Sequence, residues 1–183
     1  MPKCNEITGP LAGLFLSCAA LAAAQTGAVG GEWPTYGGDL GHTRYAPLGA
    51  ITADNFADLE MAWRFGTDNL GPVPETRFQS TPLVVDGVLY STAGSRRAVV
   101  ALDAASGELL WMHRLHEGAR GASAPRQLSG RGLAFWDGGE GGEPPRVVYV
   151  TPGYRLVALD AATGRRVPGF GSDGMVDLKR DND

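Results

Sequence analysis

The sequence predicts an all-β protein built from a repeated antiparallel unit, on three observations. Residues 99–111 (VVALDAASGELLW) and 156–168 (LVALDAATGRRVP) carry two copies of one segment: positions 100–107 match 157–164 with a single Ser-to-Thr change, at an offset of 57 residues. Apolar runs are short and seldom helical in period, while 27 glycines and 12 prolines exceed ordinary usage and suit many strands joined by tight turns. Each copy ends its apolar run in Asp followed by Ala-Ala-Ser/Thr-Gly, a turn in which carboxylate and hydroxyl bond backbone amides and Gly supplies positive φ. A hydrophobic fraction of 43% in 183 residues is enough for the core of one ordinary domain.

Taken in order, residues 1–24 read as an export signal. Lys3 precedes an apolar stretch from Leu11 that closes in Ala22-Ala23-Ala24. The stretch is shorter than the roughly 20 apolar residues of a membrane span and holds Gly13 and Ser17, so a periplasmic destination is expected. Leu16-Ser17-Cys18 offers a lipoprotein cleavage site as the second reading, with membrane association. Cys4 and Cys18 are the only cysteines; a chain cut after Ala24 has no disulfide framework, thiolate metal site or CxxCH haem attachment in residues 25–183.

The mature part, residues 25–183, opens with an aromatic lead-in segment at 32–52 whose Trp33, Tyr36 and Tyr45 are expected to pack on the body rather than stack a sugar. Residues 59–65 (LEMAWRF) are expected to form an isolated strand that places Trp63 where Trp111 comes later. The first repeat unit, about 79–115, holds LVVDGVLY (83–90), with an Asp-Gly turn inside, and then the first copy. The second unit, about 129–168, runs from SGRGLAFW (129–136) through a polar loop, DGGEGGEPP (137–145), and a strand RVVYV (146–150) into the second copy. That loop accounts for an offset longer than the roughly 40–50 residues of a propeller blade. Stacked repeats need about three copies to be stable, and about two are present, so the chain is expected to be part of a larger array.

At ALDAASGELLW (101–111) the sequence resembles the tryptophan-docking motif of the eight-bladed quinoprotein dehydrogenases. Segments 32–52 (EWPTYGGDLGHTRYAPLGAIT), 79–90 (QSTPLVVDGVLY) and 129–136 are similar, in order, to that family's N-terminal segments. The resemblance implies a partial eight-bladed β-propeller with about two blades present, Trp111 docked between blades, and turns built on Asp103, Gly107, Asp160 and Gly164. It also implies pyrroloquinoline quinone (PQQ) in a central channel, a calcium ion polarising its quinone oxygen, oxidation of an alcohol or sugar, and a quinone or cytochrome as electron acceptor. Residues 153–178 look closer to the glucose-dehydrogenase-like branch than to methanol dehydrogenases. The family's calcium ligands and catalytic aspartate come from later blades, beyond Asp183, so no catalytic or metal residue is assigned within this chain.

Two positions match cofactor contacts of the family. Arg131 stands where an arginine meets a PQQ carboxylate, and a planar fork of donors suits a tricarboxylate; the alternative is a structural arginine bonded to propeller carbonyls. Gln79 stands where many alcohol-oxidising relatives have a glutamate against the cofactor, the alternative being a strand-end residue. The chain departs from methanol and ethanol dehydrogenases at Pro125 and Arg126, where those enzymes have two adjacent cysteines. Arg126 is read either as a further cofactor contact or as a solvated loop residue.

Other signals carry less. Residues 169–174 (GFGSDG) fit the letter of a dinucleotide loop, but Pro168 precedes them and no amphipathic helix follows. His113 and His116 are expected on opposite strand faces, which does not favour one metal. The net charge of −4 includes no basic block, which excludes nucleic acid as an expected partner. The competing functions are a non-catalytic propeller scaffold of the outer-membrane assembly lipoprotein kind and a truncated product with no activity of its own; residues 25–183 alone are expected to be inactive.

Overall fold

The computed structural model describes residues 27–128, 130 and 132–180. The proposed signal segment, Cys4, Cys18 and Arg131 lie outside the described residues. Eight strands form two four-stranded antiparallel meanders. The first holds β1 (Leu83–Val85), β2 (Val88–Ala93), β3 (Ala98–Asp103) and β4 (Leu109–His113). The second holds β5 (Ala134–Trp136), β6 (Arg146–Val150), β7 (Arg155–Asp160) and β8 (Met175–Asp177). A five-residue helix, α1 (Gly118–Ala122), connects them.

The sheets stack face to face. Tyr90, Val99 and Ala101 of the first bury against Val147, Tyr149, Val157 and Leu159 of the second, with Trp111 packed on the same cluster. On the far side of the first sheet, Ala93, Val100 and Leu102 are covered by Trp63, Phe65 and Leu70. This explains the unbroken apolar run of β3, which is buried on both faces, and the alternation of β6, where Val147 and Tyr149 are buried and their neighbours only partly so.

The repeated turn folds the same way twice. The Asp103 Oδ1 accepts from the amides of Ala105 (3.1 Å) and Ser106 (2.7 Å) and from the Ser106 hydroxyl (2.7 Å), and these bonds hold its pKa below the usual carboxylate value. The Asp160 Oδ1 accepts from the Thr163 amide (2.8 Å) and hydroxyl (2.6 Å). Gly107 and Gly164 stand at φ 74° and 68°. Each also lies under an indole: a Cβ at Gly107 would come within 2.5 Å of the Trp63 ring, and one at Gly164 within 2.4 Å of the Trp111 ring. The indole N–H groups donate to the matching carbonyls, Trp63 to Ala104 at 3.1 Å and Trp111 to Ala161 at 3.0 Å. The glycine therefore serves backbone conformation and close ring approach together.

Three elements differ from expectation. Residues 59–65 form no strand, because no described strand lies alongside to complete a ladder, yet Trp63 still docks as Trp111 does. The second meander does not close at residue 168. Arg166 makes only an isolated bridge to Leu159, Pro168 cannot donate to a ladder, and after the loop at 169–174 the fourth strand is β8. The helix α1 is too short to show a period and was not foreseen. No described helix is long and apolar enough to cross a membrane.

Candidate functional site

Strands β1 and β5 begin, and β2 and β6 end, at one rim of the stacked sheets, where the chain leaves a cleft of about 900 Å³. Its walls include Arg77, Gln79 and Thr81 before β1, Arg97 at the β2–β3 turn, and Pro125, Arg126, Gly130 and Gly132 of the loop between α1 and β5. Gln79 and both neighbours of Arg131 thus reach one cleft, although Arg131 itself lies outside the described residues. His113 and His116 are not part of it. The described residues contain no group of three or more His, Cys, Asp or Glu side chains able to hold a metal ion.

The loop is held from two sides. At the β2–β3 turn, Arg96 and Arg97 both take the left-handed conformation, φ 78° and 52°. Such a pair costs of order 1–3 kcal/mol per residue and persists only where surrounding contacts fix it. Here the half-buried Arg97 guanidinium donates to the carbonyls of Leu128 (2.9 Å), Val150 (3.0 Å) and Arg126 (3.1 Å), tying the loop to the end of β6. Burial, joined by repulsion from Arg126, pushes its pKa below the ordinary arginine value, and it stays cationic. Gly130 packs against this side chain so closely that a Cβ would lie 2.7 Å from Nε.

The second anchor is α1. The Glu117 carboxylate, 3% exposed, accepts from the Thr151 hydroxyl and the Gly153 amide, both at 2.8 Å, with the Arg155 guanidinium 3.7 Å away. One turn on, Arg120 donates to the Gly153 carbonyl at 2.6 Å and makes a two-pronged pair with Asp177 of β8, which holds the Asp177 carboxyl far below its usual range. A short helix with no strong propensity of its own is thereby fixed to the β6–β7 turn, and the loop that follows it inherits that placement.

Comparison with known proteins decides what this rim belongs to. The family described as glucose/ethanol/alcohol dehydrogenase, β-propeller domain, of the PQQ type, matches residues 33–183. The chain belongs to the PQQ-type glucose/ethanol/alcohol dehydrogenase propeller family. A 1-butanol dehydrogenase (cytochrome c) of Thauera butanivorans is 39% identical over 155 residues, covering 84% of this chain and 20% of that protein. The dehydrogenase subunit of an alcohol dehydrogenase (quinone) of Gluconobacter oxydans is 36% identical over 152 residues, 81% of this chain and 18% of that protein. The crystal structure of a quinohemoprotein alcohol dehydrogenase from Comamonas testosteroni superposes with a TM-score of 0.58 at 34% identity, over 77% of this chain and 19% of that one. This propeller chain spans about a fifth of the length of the curated relatives it matches.

The residues of the rim fit a flat, tricarboxylate quinone. Three described arginines line the cleft and no described aspartate or glutamate does, so its field favours an anion. Gly132, at φ 117°, packs against Thr81 so closely that a Cβ there would lie 3.0 Å from the Thr81 carbonyl oxygen. In this quinoprotein propeller, Arg97 fills the carbonyl-bonding role that sequence reasoning offered as the alternative for Arg131. Arg97 itself went unnoticed; two arginines following Gly-Ser inside a strand-turn-strand pattern were its one available sign. Glu117 and Arg120 gave none, because their partners Thr151, Gly153 and Asp177 are remote in sequence.

Proposed function

We propose that this chain is the N-terminal portion of an exported, periplasmic PQQ-dependent dehydrogenase that oxidises an alcohol or sugar and passes electrons to a quinone or a cytochrome. The observation that carries the reading is the cationic cleft at the rim of two propeller sheets, walled by Gln79 and by the loop that contains Arg131. The cofactor, when bound, accepts two electrons and two protons as the carbinol becomes a carbonyl. In this reading Arg131 holds a cofactor carboxylate, Gln79 meets the ring system, and Gly130 and Gly132 let the backbone approach it. Arg97, Glu117 and Arg120 keep that loop in place, and Trp111 keeps the two blades in register. A calcium ion is part of the proposal, with ligands and the catalytic base supplied by residues beyond 183. The relatives are named a 1-butanol dehydrogenase (cytochrome c) and an alcohol dehydrogenase (quinone), which supports an alcohol more directly than a sugar.

The test is a PQQ titration of the full-length apoprotein with calcium present, read by quenching of tryptophan fluorescence and by dye-linked alcohol oxidation. Wild type is expected to bind and reconstitute. Arg131→Lys should weaken binding and Arg131→Ala should weaken it more, because a point charge lacks the planar fork. An Arg131→Ala protein that titrates at the wild-type midpoint would remove the cofactor role of that residue. A wild-type protein that binds no PQQ would overturn the enzyme reading in favour of a scaffold.

A further inference from the structure

We infer that Ser80 is a positioning residue of the cleft: its hydroxyl, held by Thr92 of β2, sets where Gln79 meets the cofactor. The inference rests on the cofactor reading of the same cleft. Gln79 and Thr81 line the cavity, whereas Ser80 between them does not and instead bonds β2. That division is the one expected where successive side chains point to opposite faces.

The sheet ladder does not fix this stretch. It runs from Val85↔Val88 to Leu83↔Tyr90, and two residues further in the same register Thr81 would face Thr92. No backbone bond joins those two among the described residues. The Thr92 amide donates to the Ser80 Oγ at 3.2 Å instead, and the Thr92 hydroxyl donates to the same oxygen at 2.9 Å. The Ser91 hydroxyl reaches that oxygen at 3.1 Å and donates to the Thr92 carbonyl at 3.2 Å. The Thr81 carbonyl, left out of the ladder, packs against Gly132 of the loop before β5. One side-chain oxygen thus replaces a ladder bond at the point where the chain enters the cleft. Thr92 is 1% exposed and Ser91 5%, so a partner lost there leaves a buried donor unmet. Every group in the cluster lies within residues 80–92, so the arrangement needs no contribution from elsewhere in the protein. The chain is held at Ser80, next to Gln79, and a shift of that anchor carries Gln79 with it.

The experiment is a double-mutant cycle in the full-length protein with calcium present, read as the PQQ midpoint by tryptophan fluorescence. Ser80→Ala should raise that midpoint about 10-fold, the scale of one lost hydrogen bond. The cost should largely vanish on a Gln79→Ala background, because a positioning residue has no effect once the group it positions is gone. Where Ser80→Ala fails to fold, Thr92→Val serves instead: it keeps the amide bond and the side-chain shape and removes only the hydroxyl. It should weaken PQQ binding in the same Gln79-dependent way, and Thr92→Ser, which keeps the hydroxyl, should recover most of the loss. Equal losses with and without Gln79 would make Ser80 a purely structural residue and overturn the inference, as would a Ser80→Ala protein that titrates at the wild-type midpoint. A Gln79→Ala protein that titrates like wild type would remove the cofactor contact of Gln79, and the inference with it. A wild-type protein that binds no PQQ is a different result, which overturns the cofactor reading itself together with what rests on it.

Discussion

Gly164→Ala in the full-length protein tests whether the repeat is held together by indole docking or only by strand pairing. Two costs fall on the added methyl. The backbone stands at φ 68°, where an L-residue costs about 1–2 kcal/mol, and the Cβ would lie 2.4 Å from the Trp111 ring, an overlap that forces a shift worth about 1–3 kcal/mol. Displacing the ring also lengthens its 3.0 Å bond to the Ala161 carbonyl. Gly87 provides the control: its φ is 74° and nothing lies within 4 Å of its ideal Cβ, so Gly87→Ala carries the backbone cost alone. The measurement is the urea midpoint of both variants at equal m-value. Gly164→Ala is expected to be about 1–3 kcal/mol worse than Gly87→Ala, and the excess should vanish when both are made on a Trp111→Ala background. Equal costs for the two glycines in the wild-type background would refute the claim that the ring determines the residue.

Two further outcomes follow from the loop anchor and from the interface. Arg97→Gln removes three bonds to carbonyls, so hydrogen exchange of amides 124–130 should quicken about 10- to 100-fold while that of β7 stays put; unchanged exchange would mean the loop is fixed by α1 alone. His113 is half-buried against Tyr149, and burial lowers its pKa, with Arg166 adding to the shift and a bond to the Gly164 backbone opposing it. Because the folded value lies below the ordinary 6.5, the favourable contribution is fully present above about pH 6.5 and is lost as pH falls through the folded value. Unfolding midpoints should therefore decline between pH 7.5 and 5 more steeply in wild type than in His113→Phe, and parallel curves would show that His113 does not titrate at the interface.

The repeat was legible because its information is local. An Asp, a hydroxyl and a glycine within five residues determine a turn wherever they occur, and two copies gave both the strand order and the pairing partner of each unit. Trp63 and Trp111 each dock against one copy of that turn, so one geometry serves twice. The limits of units are less local. Pro168 follows an apolar Val167 and gives no sign of whether the strand resumes, so the seven-residue displacement of β8 beyond the expected unit end could not be read.

The site was legible only in part, and the division follows sequence distance. Gln79 and the 129–132 segment stood out through resemblance, and the structure brings their surroundings to one cleft. What keeps that cleft in shape joins residues 29 to 57 positions apart: Arg97 to the 126–128 loop and to Val150, Glu117 to Thr151 and Gly153, and Arg120 to Asp177. No period or motif encodes such pairs, since a lone Arg or Glu after a strand reads as solvated. Their burial distinguishes them. A carboxylate 3% exposed survives at the start of a five-residue helix because a hydroxyl and an amide receive it, and withdrawing either leaves a charge stranded in the rim. Arg97 is half-buried and Glu117 nearly fully so, and both are committed to partners, whereas no described carboxylate pairs with the exposed Arg77 and Arg126. That contrast, rather than residue type, separates Arg97, which holds the fold, from the other two described arginines of the cleft.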